Sequence, residues 1–195
     1  MQLNETKIDL FKDLGISEDE IFRNIEIMVA GETRYLKYLR INSKTILASE
    51  DLSIKEAYFF ALAVTVNEKH SLLTEAFKNK AVLNGASALE LAEAFACAST
   101  LAINNVFYRF KHFIKSRNDN YQAMPAGIKM NIMMNPVIGK ELFELISLTE
   151  SAVNGCESCL NFHEESVKRY SSSAFRIFVA VRIASVVRGL CIALN

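Results

Sequence analysis

Cys156 and Cys159 are the residues of this chain whose type and spacing most clearly suggest chemistry, because they are two cysteines three residues apart. Asn154 and Gly155 precede the pair, and His163 follows it four residues after the second cysteine. Two thiols at this spacing can close a disulfide, bind a metal ion or attack an oxidant. We interpret the pair as a redox dithiol.

A helix that begins near Cys156, after a break at Asn154–Gly155, would bring these groups together. At about 100° per residue, Cys156, Cys159 and His163 then lie on one helical face, with the imidazole one turn beyond the second thiol. Unpaired backbone N–H groups and the helix dipole at such a start favour a thiolate over a thiol. Only the thiolate attacks a peroxide or a disulfide.

Glu144 is the carboxylate that we expect to assist. Attack on a hydroperoxide needs one proton removed and another delivered to the leaving group. Glu144 lies in the apolar sequence ELFELISL, where a carboxyl group is expected to resist ionisation and to hold a proton. The alternatives are that Glu144 faces water and that His163 is a surface residue paired with Glu164 or Glu165.

A zinc site is the main alternative use of the same residues. Cys156, Cys159 and His163 could ligate zinc, with Glu144 or water as the fourth ligand. Structural zinc sites usually have four dedicated ligands, and a domain this apolar does not need a metal ion to fold. We therefore favour the redox dithiol.

The remaining cysteines and histidines have simpler interpretations. Cys97 and Cys191 lie in apolar runs and are expected to pack in the core, as free cysteines commonly do. Two structural disulfides among four cysteines would be unusual in a reducing compartment. His70 and His112 have no such partners in sequence and are interpreted as incidental.

Composition predicts one globular domain spanning residues 1–195. The chain is 51% hydrophobic, and its 22 Lys and Arg residues balance 22 Asp and Glu residues. That content can form a sizeable core, and the balanced charge argues against a nucleic-acid-binding protein.

The sequence also argues against a membrane protein. The most apolar stretch, Phe175–Leu194, is interrupted by Arg176, Arg182 and Arg188, which predicts a packed helix rather than a bilayer span. The first 15 residues are charged and lack the apolar core of a signal peptide. We expect a cytoplasmic protein.

Apolar residues recur at steps of three and four, and glycine and proline are scarce, which predicts an all-α fold. The clearest connector is Ser116–Pro136, which contains both prolines and four of the six methionines. The predicted helices are Glu18–Ala30, Gly31–Ser43, Lys55–Asn67, His70–Asn79, Ser87–Lys115, Gly139–Val153, Cys156–Ser171 and Ser173–Leu194.

The two halves flanking the connector share a plan, which suggests an internal duplication. In each half a helix ends in Val-Asn and is followed by a second helix and a long apolar one. The N-terminal repeat covers about residues 50–115 and the C-terminal repeat about 138–195. We expect Lys69, Leu72 and Ala76 to occupy the positions in the first repeat that the two cysteines and the histidine occupy in the second. The first repeat would then be a scaffold without these reactive groups.

From Asn104 onward the sequence resembles the alkyl hydroperoxide reductase AhpD branch of the carboxymuconolactone decarboxylase-like superfamily. The resemblance covers most of the chain, with few identities before Asn104. Its most specific part is the family pattern of Glu, eleven residues, Cys, two residues, Cys, three residues and His. The matching segments are Asn104–Arg109, Lys129–Ile132, Asn135–Pro136, Phe143–Leu145 and Ala152–Arg169.

The resemblance implies an all-α antioxidant enzyme, usually a homotrimer, with two related helical units and thiol-dependent peroxidase activity. Members of the family also regenerate the peroxiredoxin AhpC. Their electrons come from dihydrolipoyl groups of a 2-oxoacid dehydrogenase acyltransferase and, behind it, from dihydrolipoamide dehydrogenase. This scheme needs no bound cofactor.

By the same resemblance, Cys159 is the peroxidatic cysteine that passes through a sulfenic acid. Cys156 is its proton donor and resolving partner, joined to it in a disulfide, and Glu144 and His163 form the proton relay. A general dithiol argument would instead favour Cys156, which lies nearer the helix start; we follow the resemblance. Some members have a histidine between the cysteines where this chain has Ser158, which can donate a hydrogen bond but cannot buffer a proton near neutrality. This difference bears on peroxide reduction more than on dithiol exchange.

Two other functions remain open from sequence. A carboxymuconolactone decarboxylase would have a related fold but no need of the thiols, so its activity would survive replacement of both cysteines. A zinc-binding or redox-sensing module would contain metal, or would be reversibly oxidised without turnover.

Overall fold

The computed structural model describes residues 2–48, 51–115 and 120–195. Over these ranges the chain forms ten α-helices and one 3₁₀ turn and contains no β-strand, which confirms the all-α prediction. The helices are α1 (Gln2–Leu14), α2 (Arg23–Ala30), α3 (Tyr35–Ile46), α4 (Ile54–Asn67), α5 (Ser71–Leu83), α6 (Ala88–Ile114), α7 (Asn120–Ala123), α8 (Lys140–Val153), α9 (Glu157–Arg169) and α10 (Ala174–Ala193), and the 3₁₀ turn is Asn131–Met133.

Helix α4 is the centre of the fold. It begins with a capping box in which the Ser53 hydroxyl accepts from the Glu56 N–H and the Glu56 carboxylate accepts from the Ser53 N–H. Residues 59–65 are all fully buried, so this stretch of the helix is enclosed around its whole circumference. It packs against α5, α6, α8 and α10. The helix that carries Glu144 is therefore held against a rigid core.

An ion-pair cluster fixes the start of α10 to two other helices. The Arg176 guanidinium donates to the Glu56 carboxylate at 2.6 Å and to the Glu141 carboxylate at 2.9 Å. Hydrogen bonds from Arg176 lower the pKa of Glu141. Burial by itself would raise the pKa of Glu56, but hydrogen bonds from Arg176 and Ser53 together lower it. The predicted helix Phe175–Leu194 is thus a packed element, α10. None of the helices in the described ranges has the length and apolar character required to cross a bilayer.

The N-terminal helices differ most from the sequence-based expectation. Helix α1 was not predicted, yet Leu10, Phe11 and Leu14 on one face of it are buried in the core. The helix expected from Glu18 begins only at Arg23, because Phe22 has an extended backbone with φ −114° and ψ 120°. Helix α3 likewise lies a few residues later than expected, and α5 continues to Leu83. These short amphipathic segments take their limits from tertiary contacts rather than from strong local signals.

The turns that follow α4 and α8 have the same hydrogen bonds. The His70 N–H donates to the Thr65 carbonyl at 2.9 Å, and the Cys156 N–H donates to the Ser151 carbonyl at 2.9 Å. Each such bond spans five residues, and in each turn the residue before the donor has a positive φ, 58° at Lys69 and 67° at Gly155.

This shared turn corrects the expected alignment of the two halves by one residue. His70, not Lys69, occupies the place of Cys156, because each is the residue just before its helix. Leu73 and Phe77 then stand where the second half has Cys159 and His163, and both are fully buried. The duplication and its limits stay a prediction; residue 50, at the expected start of the first repeat, and residues 116–119 of the expected connector lie outside the described residues.

Glu150 is a buried acid without a hydrogen-bond partner. Its side chain on α8 is fully buried, and neither carboxyl oxygen contacts a donor among the described residues. Burial, with a smaller contribution from the charge of Glu68, raises the pKa of Glu150 from an ordinary value of 4.5 to about 8.

Glu150 should make the fold less stable as pH rises. Unfolded Glu150 loses its proton near pH 4.5 whereas the folded side chain keeps it to about pH 8, so between these values the unfolded state binds fewer protons. The free energy of unfolding of the wild type, relative to Glu150→Gln, should fall by roughly 1 to 3 kcal/mol from pH 5 to pH 8. Urea denaturation at several pH values measures this, and a difference that does not change with pH would contradict the expectation.

Candidate functional site

The two cysteines lie at the start of α9, as the sequence predicts. Helix α8 ends at Val153, Asn154 caps it, and Gly155 turns the chain with a positive φ of 67°. Cys156 is the residue that precedes α9, and its carbonyl accepts the first hydrogen bond of that helix, from the Leu160 N–H at 2.9 Å. Both cysteines therefore belong to the start of the helix, where backbone N–H groups have no partner within the helix.

The Cys156 and Cys159 sulfurs form a disulfide, with the two Cα atoms 5.3 Å apart. Both residues are buried, Cys156 with 1% and Cys159 with 6% of its surface exposed. They differ in access, because Cys159 lines a cavity at the site and Cys156 is not among its lining residues. A small molecule in this cavity would meet the Cys159 sulfur first.

His163 and Glu144 form a direct hydrogen bond between α9 and α8. Glu144 Oε2 lies 2.6 Å from His163 Nδ1, and only 4% of the His163 side chain and 12% of the Glu144 side chain are exposed. The alternative interpretations of a solvent-facing Glu144 and a surface His163 are thus wrong, and Glu164 pairs with Lys168 instead. With Nδ1 engaged by a carboxylate, Nε2 is the nitrogen that could exchange a proton with the cavity.

The cavity beside Cys159 has a volume of about 290 Å³. Most of the exposed wall is apolar, although five of the eight lining residues carry a polar or ionisable group. Part of the wall comes from the segment between α7 and α8, which contributes Met130 and Met133. The lining residues are Asn104, Tyr108, Met130, Met133, Ser158, Cys159, Phe162 and His163.

No role was predicted for the lining residues that lie outside α9. Asn104 and Tyr108 lie four residues apart on α6 and belong to the segment Asn104–Arg109 that carries the resemblance, so their spacing on one helical face was an available signal. Met130 and Met133 had no such signal, because only the path of the chain between α7 and α8 brings them to the cavity.

A chain of side-chain amides supports the turn before Cys156. Asn67 Nδ2 donates to Asn154 Oδ1 at 2.9 Å, and Asn154 Nδ2 donates to Asn105 Oδ1 at 2.9 Å. Arg109 Nη1 donates to the Asn154 carbonyl at 2.7 Å. Residues of α4 and α6 thus fix the backbone immediately before the disulfide.

Ser158, between the two cysteines, connects α9 to α6. Its hydroxyl lies 3.7 Å from Cys156 Sγ and 3.5 Å from the Tyr108 carbonyl, and its side chain also lines the cavity. The hydroxyl can therefore orient groups beside the disulfide.

Cys97 and Cys191 are buried free cysteines, as expected. Burial raises the pKa of Cys97 well above its usual range and that of Cys191 to about 12, so both remain thiols near neutral pH.

His70 is not incidental. It precedes α5, accepts a hydrogen bond from the Leu73 N–H through Nδ1 and lies 2.8 Å from the Leu194 carbonyl through Nε2. It therefore links α5 to the C-terminal end of α10. His112 is half exposed, with Nε2 3.5 Å from Glu157.

Comparison with known proteins identifies the family. A model described as the carboxymuconolactone decarboxylase family matches residues 119–195. The alkyl hydroperoxide reductase AhpD of Bradyrhizobium sp. (strain ORS 278) is 34% identical over 161 residues, which are 83% of this chain and 87% of that protein. The protein of the same name from Coxiella burnetii (strain Dugway 5J108-111) is 38% identical over 80% of this chain and 88% of that protein. The one from Brucella canis is 34% identical over 83% of this chain and 90% of that protein. This chain belongs to the alkyl hydroperoxide reductase AhpD family, in the carboxymuconolactone decarboxylase-like superfamily.

Proposed function

We propose that this protein is a thiol-dependent peroxidase that reduces alkyl hydroperoxides with its Cys156–Cys159 dithiol. The observation that carries the proposal is that Cys159 opens onto a mainly apolar cavity beside His163, which is itself hydrogen-bonded to Glu144. An apolar wall suits the organic part of an alkyl hydroperoxide, and the dithiol supplies the two electrons that the O–O bond takes up. The names of the curated relatives agree with this activity.

The first step oxidises Cys159. His163 removes the thiol proton, and the thiolate attacks the terminal oxygen of R–O–OH, so that an S–O bond forms and the O–O bond breaks. Sulfur loses two electrons and becomes a sulfenic acid. The departing alkoxide takes the thiol proton of Cys156 and leaves as an alcohol.

The second step closes the disulfide. The Cys156 thiolate formed in the first step attacks the Cys159 sulfur and displaces hydroxide, which takes the proton held by His163 and leaves as water. The sum is one hydroperoxide and two thiols converted into one alcohol, one water and one disulfide. The Glu144 carboxylate supports the imidazolium between the two steps.

Dihydrolipoyl groups are the proposed electron donor. A dihydrolipoyl dithiol would reopen the disulfide by two successive thiol–disulfide exchanges and become a cyclic disulfide. A lipoyl-bearing 2-oxoacid dehydrogenase acyltransferase and dihydrolipoamide dehydrogenase would supply these electrons. The reduced dithiol would also reduce an AhpC-type peroxiredoxin by the same exchange. We place this chemistry in the cytoplasm, where buried free thiols such as Cys97 and Cys191 persist.

The proposal includes a homotrimer. Helix α6 carries an exposed apolar stripe of Ile103, Val106, Phe110 and Phe113, whose spacing of three, four and three residues places them on one face. Contiguous exposed apolar surface of this kind is typical of an interface between subunits.

The test of the proposed function is hydroperoxide reduction driven by dihydrolipoamide. We expect the wild-type protein to convert cumene hydroperoxide to its alcohol while forming one lipoamide for each peroxide consumed. The lipoamide and the alcohol are quantified by chromatography. Peroxide loss no faster than in a protein-free mixture would refute direct peroxidase activity, and a parallel reaction with oxidised AhpC-type peroxiredoxin would show whether the dithiol acts only on a disulfide.

A further inference from the structure

The Asn104 side chain has an unused hydrogen-bond acceptor beside the cavity. Asn104 lies on α6 and lines the same cavity as Cys159 and His163, with 5% of its surface exposed. Its Oδ1 atom is fully buried and has no donor among the described residues. A buried polar atom without a partner costs about 1 to 3 kcal/mol, so its retention needs an explanation.

The adjacent residue, Asn105, shows that a buried amide on this part of α6 can form its hydrogen bonds. Asn105 is equally buried, yet its Nδ2 donates to Ser151 Oγ at 3.1 Å and its Oδ1 accepts from Asn154. Both carboxyl oxygens of Glu150 also lack a partner, but Glu150 does not line the cavity. Within the described ranges, Asn104 is therefore the one buried residue with an unpaired acceptor at the site.

We propose that the Asn104 amide turns its side-chain carbonyl toward the cavity and accepts a hydrogen bond from the terminal O–H of the hydroperoxide substrate. This inference rests on the proposed peroxidase function and adds a substrate-binding residue to it. The bond holds the terminal oxygen, which Cys159 attacks, and leaves the inner oxygen to depart as the alkoxide. Atoms and electrons balance as in the first step above, because Asn104 neither gains nor loses a proton.

Asn104 acts in only one of the two halves of the catalytic cycle. A hydroperoxide carries an O–H donor at the reacting oxygen, whereas reopening of the disulfide by a dithiol presents no O–H or N–H group at the reacting sulfurs. Asn104 therefore accelerates oxidation of the dithiol by hydroperoxide and does not contribute to reduction of the disulfide.

The experiment measures each half-reaction separately with Asn104→Leu. Reduced protein is mixed with cumene hydroperoxide, and oxidised protein is mixed with dihydrolipoamide; each reaction is quenched with a maleimide, and free thiols are counted by mass spectrometry. Loss of one substrate hydrogen bond should slow the oxidation roughly tenfold to a hundredfold. Reduction should stay within about twofold of the wild-type rate. Asn104→Ala provides the same test if the leucine variant does not fold.

Thermal unfolding distinguishes substrate binding from a structural role. Asn104→Leu removes an unsatisfied buried acceptor, so its melting temperature should equal or exceed that of the wild type. Asn105→Leu is the matched control, and it should melt several degrees lower, because Asn154 Nδ2 loses its acceptor and Ser151 Oγ loses a donor.

Two results would overturn the assignment of Asn104. They are an unchanged oxidation rate in the variant, and an equal slowing of both half-reactions, which would indicate a distorted site. Failure of the proposed function has a different signature, because the wild-type dithiol itself would then not be oxidised by cumene hydroperoxide.

Discussion

Cys159→Ser should lower dihydrolipoamide-driven hydroperoxide turnover by at least about a thousandfold. A serine hydroxyl is a far weaker nucleophile than a thiolate and has no stable counterpart of the sulfenic acid, so neither the S–O bond nor the disulfide can form. The sulfur of Cys159 is also the one that meets the cavity. Steady-state loss of cumene hydroperoxide measures the effect, with sedimentation velocity to verify folding and to test the proposed trimer.

Cys191→Ser is the matched control for this substitution. Cys191 is a free, buried cysteine on α10 outside the cavity, so its replacement should leave turnover unchanged. Cys156→Ser should stop the cycle after one oxidation and leave a sulfenic acid at Cys159, which a dimedone adduct detects by mass. The assignment of the nucleophile fails if the adduct forms in Cys159→Ser and not in Cys156→Ser, because Cys156 would then attack the peroxide.

The parts of the site that lie within one helix could be predicted from the sequence. The positions of Cys156, Cys159 and His163 depend only on where α9 begins and on its helical period, and Asn154–Gly155 marks that beginning. The contact of His163 with Glu144 crosses between helices. The apolar surroundings of Glu144 and the family pattern indicated a shared role, whereas helical periodicity did not.

Features that depend on tertiary structure could not be predicted in the same way. Met130 and Met133 come from a connector without helical periodicity, so nothing local indicates that they cover the cavity. The unpaired oxygen of Asn104 is visible only once its surroundings are known, since the adjacent Asn105 has the same residue type and the opposite environment. The expected alignment of the two halves was wrong by one residue. Lys69 adopts the positive φ that Gly155 adopts in the second half, and a lysine does not signal such a turn in the sequence.

Glu144→Gln should lower hydroperoxide turnover by about a hundredfold to a thousandfold while preserving the fold. The glutamine carbonyl can still accept a hydrogen bond from His163 Nδ1, so the imidazole keeps its orientation. The substitution removes the negative charge that lies 2.6 Å from that nitrogen and supports the imidazolium formed when His163 takes the Cys159 proton. Both the proton uptake and the later proton delivery to hydroxide then become slower.

The measurement is turnover against pH for the wild type, Glu144→Gln and Glu164→Gln. Glu164 is a half-exposed glutamate on α9 that pairs with Lys168, so its replacement should leave the rate and the pH profile unchanged. For Glu144→Gln, the rate should fall and the profile should change shape, because the imidazole loses its charged partner. A uniform loss at every pH accompanied by a lower melting temperature would instead make Glu144 a structural residue. That outcome would remove the carboxylate from the proton relay and leave His163 as its only member.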